Sequence, residues 1–112
     1  MTNLDFDELK KRSGAIRARY HELELEFHGA QWTVEEDALA FLTDAALVGR
    51  MTMANQNRWP QDGASPDDLK HKLGESIWWI AVLAHRMNID MEEAVRDFLE
   101  KTENSLGVER PG

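Results

Sequence analysis

Two carboxylates stand in apolar surroundings where ionised groups need a partner. Asp44 lies in "FLTDAALVG" among Leu42, Ala45, Leu47 and Val48, and Glu75 lies in "LGESIWW" just before Trp78 and Trp79. A lone carboxylate buried in such company costs several kcal/mol unless it is neutralised, paired or bound to a metal. Three kinds of partner are within reach. Lys72 precedes Glu75 by three residues and Asp68 precedes Lys72 by four, which gives a charge chain along one helix. His71, four residues before Glu75, and His85 share roughly its helix face and could hydrogen-bond to it. A divalent cation held between Asp44 and Glu75 from neighbouring helices is the third. Structural ion pairs also perturb carboxylates, so spacing alone ranks the ion pair ahead of the metal.

The elements that would position these groups are helical. Phe6, Leu9, Ser13, Ile16, Tyr20, Leu23 and Phe27 advance in steps of three and four, predicting an amphipathic helix from about Asp5 to Phe27. "TVEE" at Thr33 to Glu36 offers a capping box that opens a second helix running to about Met53, apolar on more than one side and so expected to be central. The turn-rich "NQNRWPQDGASPDD" follows. Ser65 then caps a third helix with Pro66 at its first position and Asp67 and Asp68 at the positive end of its dipole, reaching about Met87. Asn88 suits a left-handed turn, and Asp90 caps a fourth helix, ended by Gly107, on which Val95, Phe98 and Leu99 are expected to face inward. No segment alternates with period two, so the reading is all-α, one domain over residues 1–112. The heptad-like first helix and the surplus apolar surface of the next two suit self-association.

Composition narrows the chemistry. The formal charge of −8, from 21 acidic and 13 basic residues with no basic stripe, argues against a nucleic-acid polymer as partner. Small phosphate ligands stay open through a bridging divalent cation. The absence of cysteine excludes disulfides, thiolate metal sites and thiol nucleophiles. No apolar run is long enough for a bilayer and "MTNLDFDELKK" does not read as a signal sequence, so a cytoplasmic protein without a membrane partner is expected. Trp78 could stack a base and Trp59 could cover a ligand, although core packing and loop anchoring are the commoner uses of such residues.

"WT.EE" at Trp32 to Glu36, "FLTDAALVGRMTMANQ" at Phe41 to Gln56 and "LKHKLGESIWWIAVLAHRMNIDMEEAV" at Leu69 to Val95 together resemble the MazG-like family of all-α nucleoside triphosphate pyrophosphohydrolases. The resemblance implies a four-helix MazG-like bundle completed by homodimerisation, or a homotetramer. It also implies an EExxE motif and an ExxD motif whose carboxylates hold Mg²⁺ at a nucleoside triphosphate, which is cleaved to a monophosphate and pyrophosphate. Here those motifs fall on "TDAAL" at Thr43 to Leu47 and "KLGE" at Lys72 to Glu75. Asp44 and Glu75 keep the charge and are the implied metal ligands; Thr43, Leu47 and Lys72 stand where acids are expected. His71 or Glu36 would accept the proton of the attacking water, while Arg50, Lys72 and Trp78 would meet the nucleotide. Lys72 has two alternative roles: neutralising the two acids as an ion pair, or binding phosphate with Arg50 in place of metal. The implied function is nucleotide binding with weak or lost hydrolysis; the alternative is a non-catalytic helical dimer or regulatory protein on the same scaffold.

Overall fold

A computed structural model describes residues 3–59 and 64–109 and contains four helices: α1 (Phe6–His28), α2 (Val34–Asn55), α3 (Pro66–Arg86) and α4 (Met91–Leu106). No strand occurs among the described residues. Each boundary is made by a local bond. Asp5 accepts from the Glu8 amide at the start of α1, and Asp90 accepts from that of Glu93 at the start of α4. Thr33 and Glu36, and likewise Ser65 and Asp68, bond reciprocally in full capping boxes. Pro66 occupies the first turn of α3, where its missing amide hydrogen costs nothing. Gly29 and Gly107 close α1 and α4 at φ 73° and 70°, the left-handed region that a side chain disfavours. Asn88 takes φ 57° between α3 and α4, as its position suggested. Part of the loop before α3, residues 60–63, lies outside the described residues.

The hub is α3, not α2. It packs most extensively on α2, then on α1, and lightly on α4. The central place expected for α2 came from its apolar composition, but much of that surface stays open: Leu39 and Leu42 are both exposed. Helix α1 also departs from its apolar stripe. Its buried residues are Ser13 and Arg17, whereas Ile16, Tyr20 and Phe27 are exposed. The expectation that Val95, Phe98 and Leu99 face inward is overturned, since α4 has no buried residue and Phe98 is 66% exposed. Its amphipathic stripe is real, but among the described residues its main contact is the light one with α3.

The described part of the chain therefore has a small dry core. The buried apolar side chains are Trp79, Ala81 and Val82, all on α3. The radius of gyration is 17.0 Å, well above the roughly 13 Å of a compact chain of about this length. The helices are held in place as much by polar bonds as by apolar contact.

Because the capping boxes are the local devices that start the two best-packed helices, Thr33→Ala and Ser65→Ala are each expected to lower the unfolding free energy by about 1 kcal/mol. Urea titration should show a lower midpoint with an unchanged slope.

Candidate functional site

Buried faces of α2 and α3 meet in an antiparallel register. On α2, Asp37 and Asp44 are seven residues apart and both buried; on α3, Lys72, Trp79 and Arg86 repeat at the same interval. Asp44 meets Lys72 and Trp79, while Asp37 meets Arg86. Two turns of helix separate the two polar clusters.

In the first cluster, the Lys72 Nζ donates to Glu75 Oε1 at 2.8 Å and to Asp44 Oδ1 at 3.3 Å. The Trp79 indole N–H donates to the other Asp44 oxygen at 2.9 Å. Asp44 and Glu75 thus converge across the α2–α3 seam, with an ammonium bridging them. The hydrogen bond to Glu75 raises the Lys72 pKa; partial burial opposes it, and the bond to Asp44 and both negative charges add to the rise. Asp68, expected to pair with Lys72, is instead held by the Ser65 hydroxyl and amide, which keep its carboxyl below the usual range.

The other expected site residues fall around this pair unevenly. His71 is an exposed rim residue whose Nε2 lies 3.9 Å from Glu75 Oε1, too long for a hydrogen bond. Arg50 lies over the Trp59 ring at 5.6 Å, so its cation is engaged with the loop tryptophan. Glu36 serves the α2 capping box. The adjacent tryptophans divide their roles: Trp79 is buried on Asp44, and Trp78 stacks at 5.9 Å on Tyr20 of α1.

As arranged, these residues do not fit Mg²⁺. That ion wants near-octahedral oxygen donors at about 2.0–2.1 Å. Here two carboxylates are already bridged by a cation that the chain supplies, and no group of three His, Asp or Glu side chains poised to hold a metal occurs among the described residues. Of the two roles weighed for Lys72, the observed contacts are those of the ion pair.

The second cluster was not singled out from the sequence. Asp37 is wholly buried, and the Arg17 guanidinium grips it through Nε at 3.2 Å and Nη2 at 2.7 Å. Arg86 donates to the same carboxylate at 2.8 Å and to the Trp32 carbonyl at 3.0 Å. Arg17 also donates to Glu24 at 2.7 Å, and Glu24 accepts the Trp32 amide at 2.7 Å. Both backbone polar groups of Trp32 are therefore held, which fixes the turn between α1 and α2. The Arg17 guanidinium sits 6.0 Å from the Trp32 ring and 5.8 Å from the Trp79 ring, inside cation–π range. His21 bonds to Glu24 at 3.2 Å. A signal did exist: Asp37 lies two turns before Asp44 on the same face, so any helix burying one buries the other.

Beside this cluster, a cleft of about 440 Å³ opens between α1 and α3. Tyr20, Trp32 and Trp78 give it aromatic walls, and Glu24 and Glu75 stand along it. It is large enough for a planar heterocycle to stack against a ring.

Truncating Asp37 would strand two arginines, so Asp37→Ala is expected to cost about 3–5 kcal/mol of stability by urea unfolding. Glu24 carries the acid dependence. Burial pushes its carboxyl up, but the Arg17 hydrogen bond, the Trp32 amide and the charges of Arg17 and His21 outweigh this and hold it below the ordinary 4.5. A lowered carboxylate pKa gives stability that is complete above the unfolded value and lost as pH falls through the folded one. The stability difference between wild type and Glu24→Gln should thus be constant above about pH 6 and shrink progressively as acid is added below 4.5.

Comparison of the chain with family models, with curated proteins and with solved structures finds no match to any of them.

Proposed function

We propose that this chain is a MazG-like nucleotide-binding protein, related to Mg²⁺-dependent nucleoside triphosphate pyrophosphohydrolases, in which an internal lysine has taken the place of the metal and hydrolysis is lost. The observation that carries the reading is the Lys72 ammonium bridging Asp44 and Glu75 at 3.3 and 2.8 Å. The site resembles a two-helix carboxylate metal centre in placement, but its charge balance differs. A divalent ion approaching Lys72 meets like charge: even unit charges 4 Å apart repel by about 4 kcal/mol at an effective dielectric of 20. With Leu47 and Thr43 offering no carboxylate, no replacement ligand stands by.

What is left is recognition. The aromatic cleft beside Glu75 supports stacking of a nucleobase on Trp78 or Tyr20, with the phosphates directed outward, where His71 and Lys70 stand near Glu75. Arg50, held over Trp59, is not required.

A second reading, a non-catalytic helical association protein on the same scaffold, is favoured by a different observation: the small dry core and the extensive exposed apolar surface of α2, α3 and α4.

The two readings separate in a panel of nucleoside triphosphates with Mg²⁺ or Mn²⁺. The first expects no pyrophosphate release and a nucleotide-dependent rise in melting temperature, abolished by Trp78→Ala; saturation at a hundred times Kd corresponds to about 2.7 kcal/mol. Lys72→Glu combined with Leu47→Glu should restore metal-dependent release. Turnover by the wild type would overturn the loss of hydrolysis, and no melting shift with any nucleotide would favour the second reading.

A further inference from the structure

A lysine shared by two acids cancels only one of them. Asp44 uses both its oxygens inside the α2–α3 seam, one on Lys72 and one on the Trp79 indole, and is buried there. Glu75 meets Lys72 through Oε1 alone. Among the described residues its Oε2 accepts no hydrogen bond, and the side chain is 31% exposed. The unmatched negative charge of the cluster is therefore displayed at Glu75, which stands on the wall of the aromatic cleft between α1 and α3. The other described charges nearby are matched: Arg17 and Arg86 by Asp37 and Glu24, and Lys70 by Asp67 at the outer end. More than half of the chain's aromatic side chains, Tyr20, Phe27, Trp32, Trp78 and Trp79, line this same cleft. Ring faces attract cations, most strongly where water is excluded. The inner end already does so, with Arg17 lying 6.0 Å from the Trp32 ring and 5.8 Å from that of Trp79. The outer end, Tyr20 and Trp78 beside Glu75, has no such cation from the described residues. Trp78 makes a second demand, since its indole N–H is buried without an acceptor.

We propose that the outer end of this cleft binds a planar heterocycle made cationic by alkylation of a ring nitrogen. This names the class of base for the nucleotide reading and rests on that reading. Each part of such a ring meets something the site lacks. Its positive charge answers the unmatched charge at Glu75, and being spread over a ring it is weakly hydrated and cheap to desolvate. An amino group on its edge can donate to the open Glu75 Oε2. A ring acceptor suits the orphaned Trp78 N–H, and the faces of Tyr20 and Trp78 suit stacking. A neutral base would stack equally well but would draw water from the Glu75 carboxylate without supplying a counter-charge. A bare metal ion would find one free carboxylate oxygen where it needs several donors. A tetraalkylammonium would leave the Trp78 N–H without an acceptor. The formal charge of −8 draws cations toward the chain as a whole, which adds to the same preference.

Isothermal titration calorimetry at neutral pH tests it with two isomers of equal size. One is adenosine methylated at a ring nitrogen, which is cationic; the other is adenosine methylated at the exocyclic amine, which is neutral. The cation is expected to bind about tenfold tighter, a margin that shrinks as salt is added. Glu75→Gln leaves Lys72 and Asp44 as a one-to-one pair and removes the unmatched charge, so the preference should vanish while weak stacking of both isomers remains. If that variant does not fold, the wild-type comparison and its salt dependence decide alone. Equal or tighter binding of the neutral isomer would overturn the proposal and leave the nucleotide reading intact, as would a preference that survives undiminished in folded Glu75→Gln. Binding of neither isomer, in a protein whose melting temperature nucleoside triphosphates still raise, would overturn this proposal alone. Silence toward every nucleoside and nucleotide would remove both.

Discussion

A carboxylate with no exposure to water sets the terms for this fold. Asp37 cannot be left bare in the interior, and its two oxygens take three donors from two different helices: Arg17 of α1 and Arg86 of α3. The cation–carboxylate geometry is directional where apolar contact is not, so it fixes rotation and register as well as proximity. Once Asp37 faces Arg86, the seven-residue interval on each helix brings Asp44 to Trp79 and Lys72. One buried pair therefore determines where the Asp44–Lys72–Trp79 cluster forms. Polar specification of this kind suits a chain whose apolar core is too small to choose a register by itself.

The Asp44–Lys72–Glu75 cluster is where chemistry would be expected. Two acids brought together across a helix seam are a metal site if the space between them is open to an ion, and an ion pair if the chain fills that space. Here a lysine three residues from one acid reaches both. Its raised pKa keeps it charged at any physiological pH, so the bridging cation is permanent and not a switch. The aromatic cleft lies beside this bridge, along Glu75. The ammonium bridge between the two acids and the aromatic cleft beside them are thus physically separable features of this arrangement.

The residues that misled sequence reading share a cause. Val95, Phe98 and Leu99 do form an apolar stripe, as do Leu39 and Leu42, but periodicity reports that a face needs cover without reporting what covers it. Arg17 sits among charged and polar neighbours of α1, yet its partner Asp37 arrives from α2, while His21 bonds within α1 to a Glu24 already held by Arg17 and the Trp32 amide. Asp44 and Glu75 were legible because each interrupts an apolar run. Asp37 was harder to see, its one signal being its place two turns before Asp44, because "EEDALA" begins a helix where acids are ordinary.

What the amino-acid order determined by itself is local. The starts at Thr33, Ser65 and Asp90, the left-handed exits at Gly29, Asn88 and Gly107, and the all-helical class follow from bonds and dihedral preferences within a few residues of each boundary. What tertiary structure alone decided is which faces meet: that α3 is the hub, that Lys72 spans two acids, and that Arg17 is a buried anchor. Those outcomes depend on the rotation and relative shift of one helix against another, and a rotation of 100° exchanges a buried aspartate for an exposed alanine without altering any local preference.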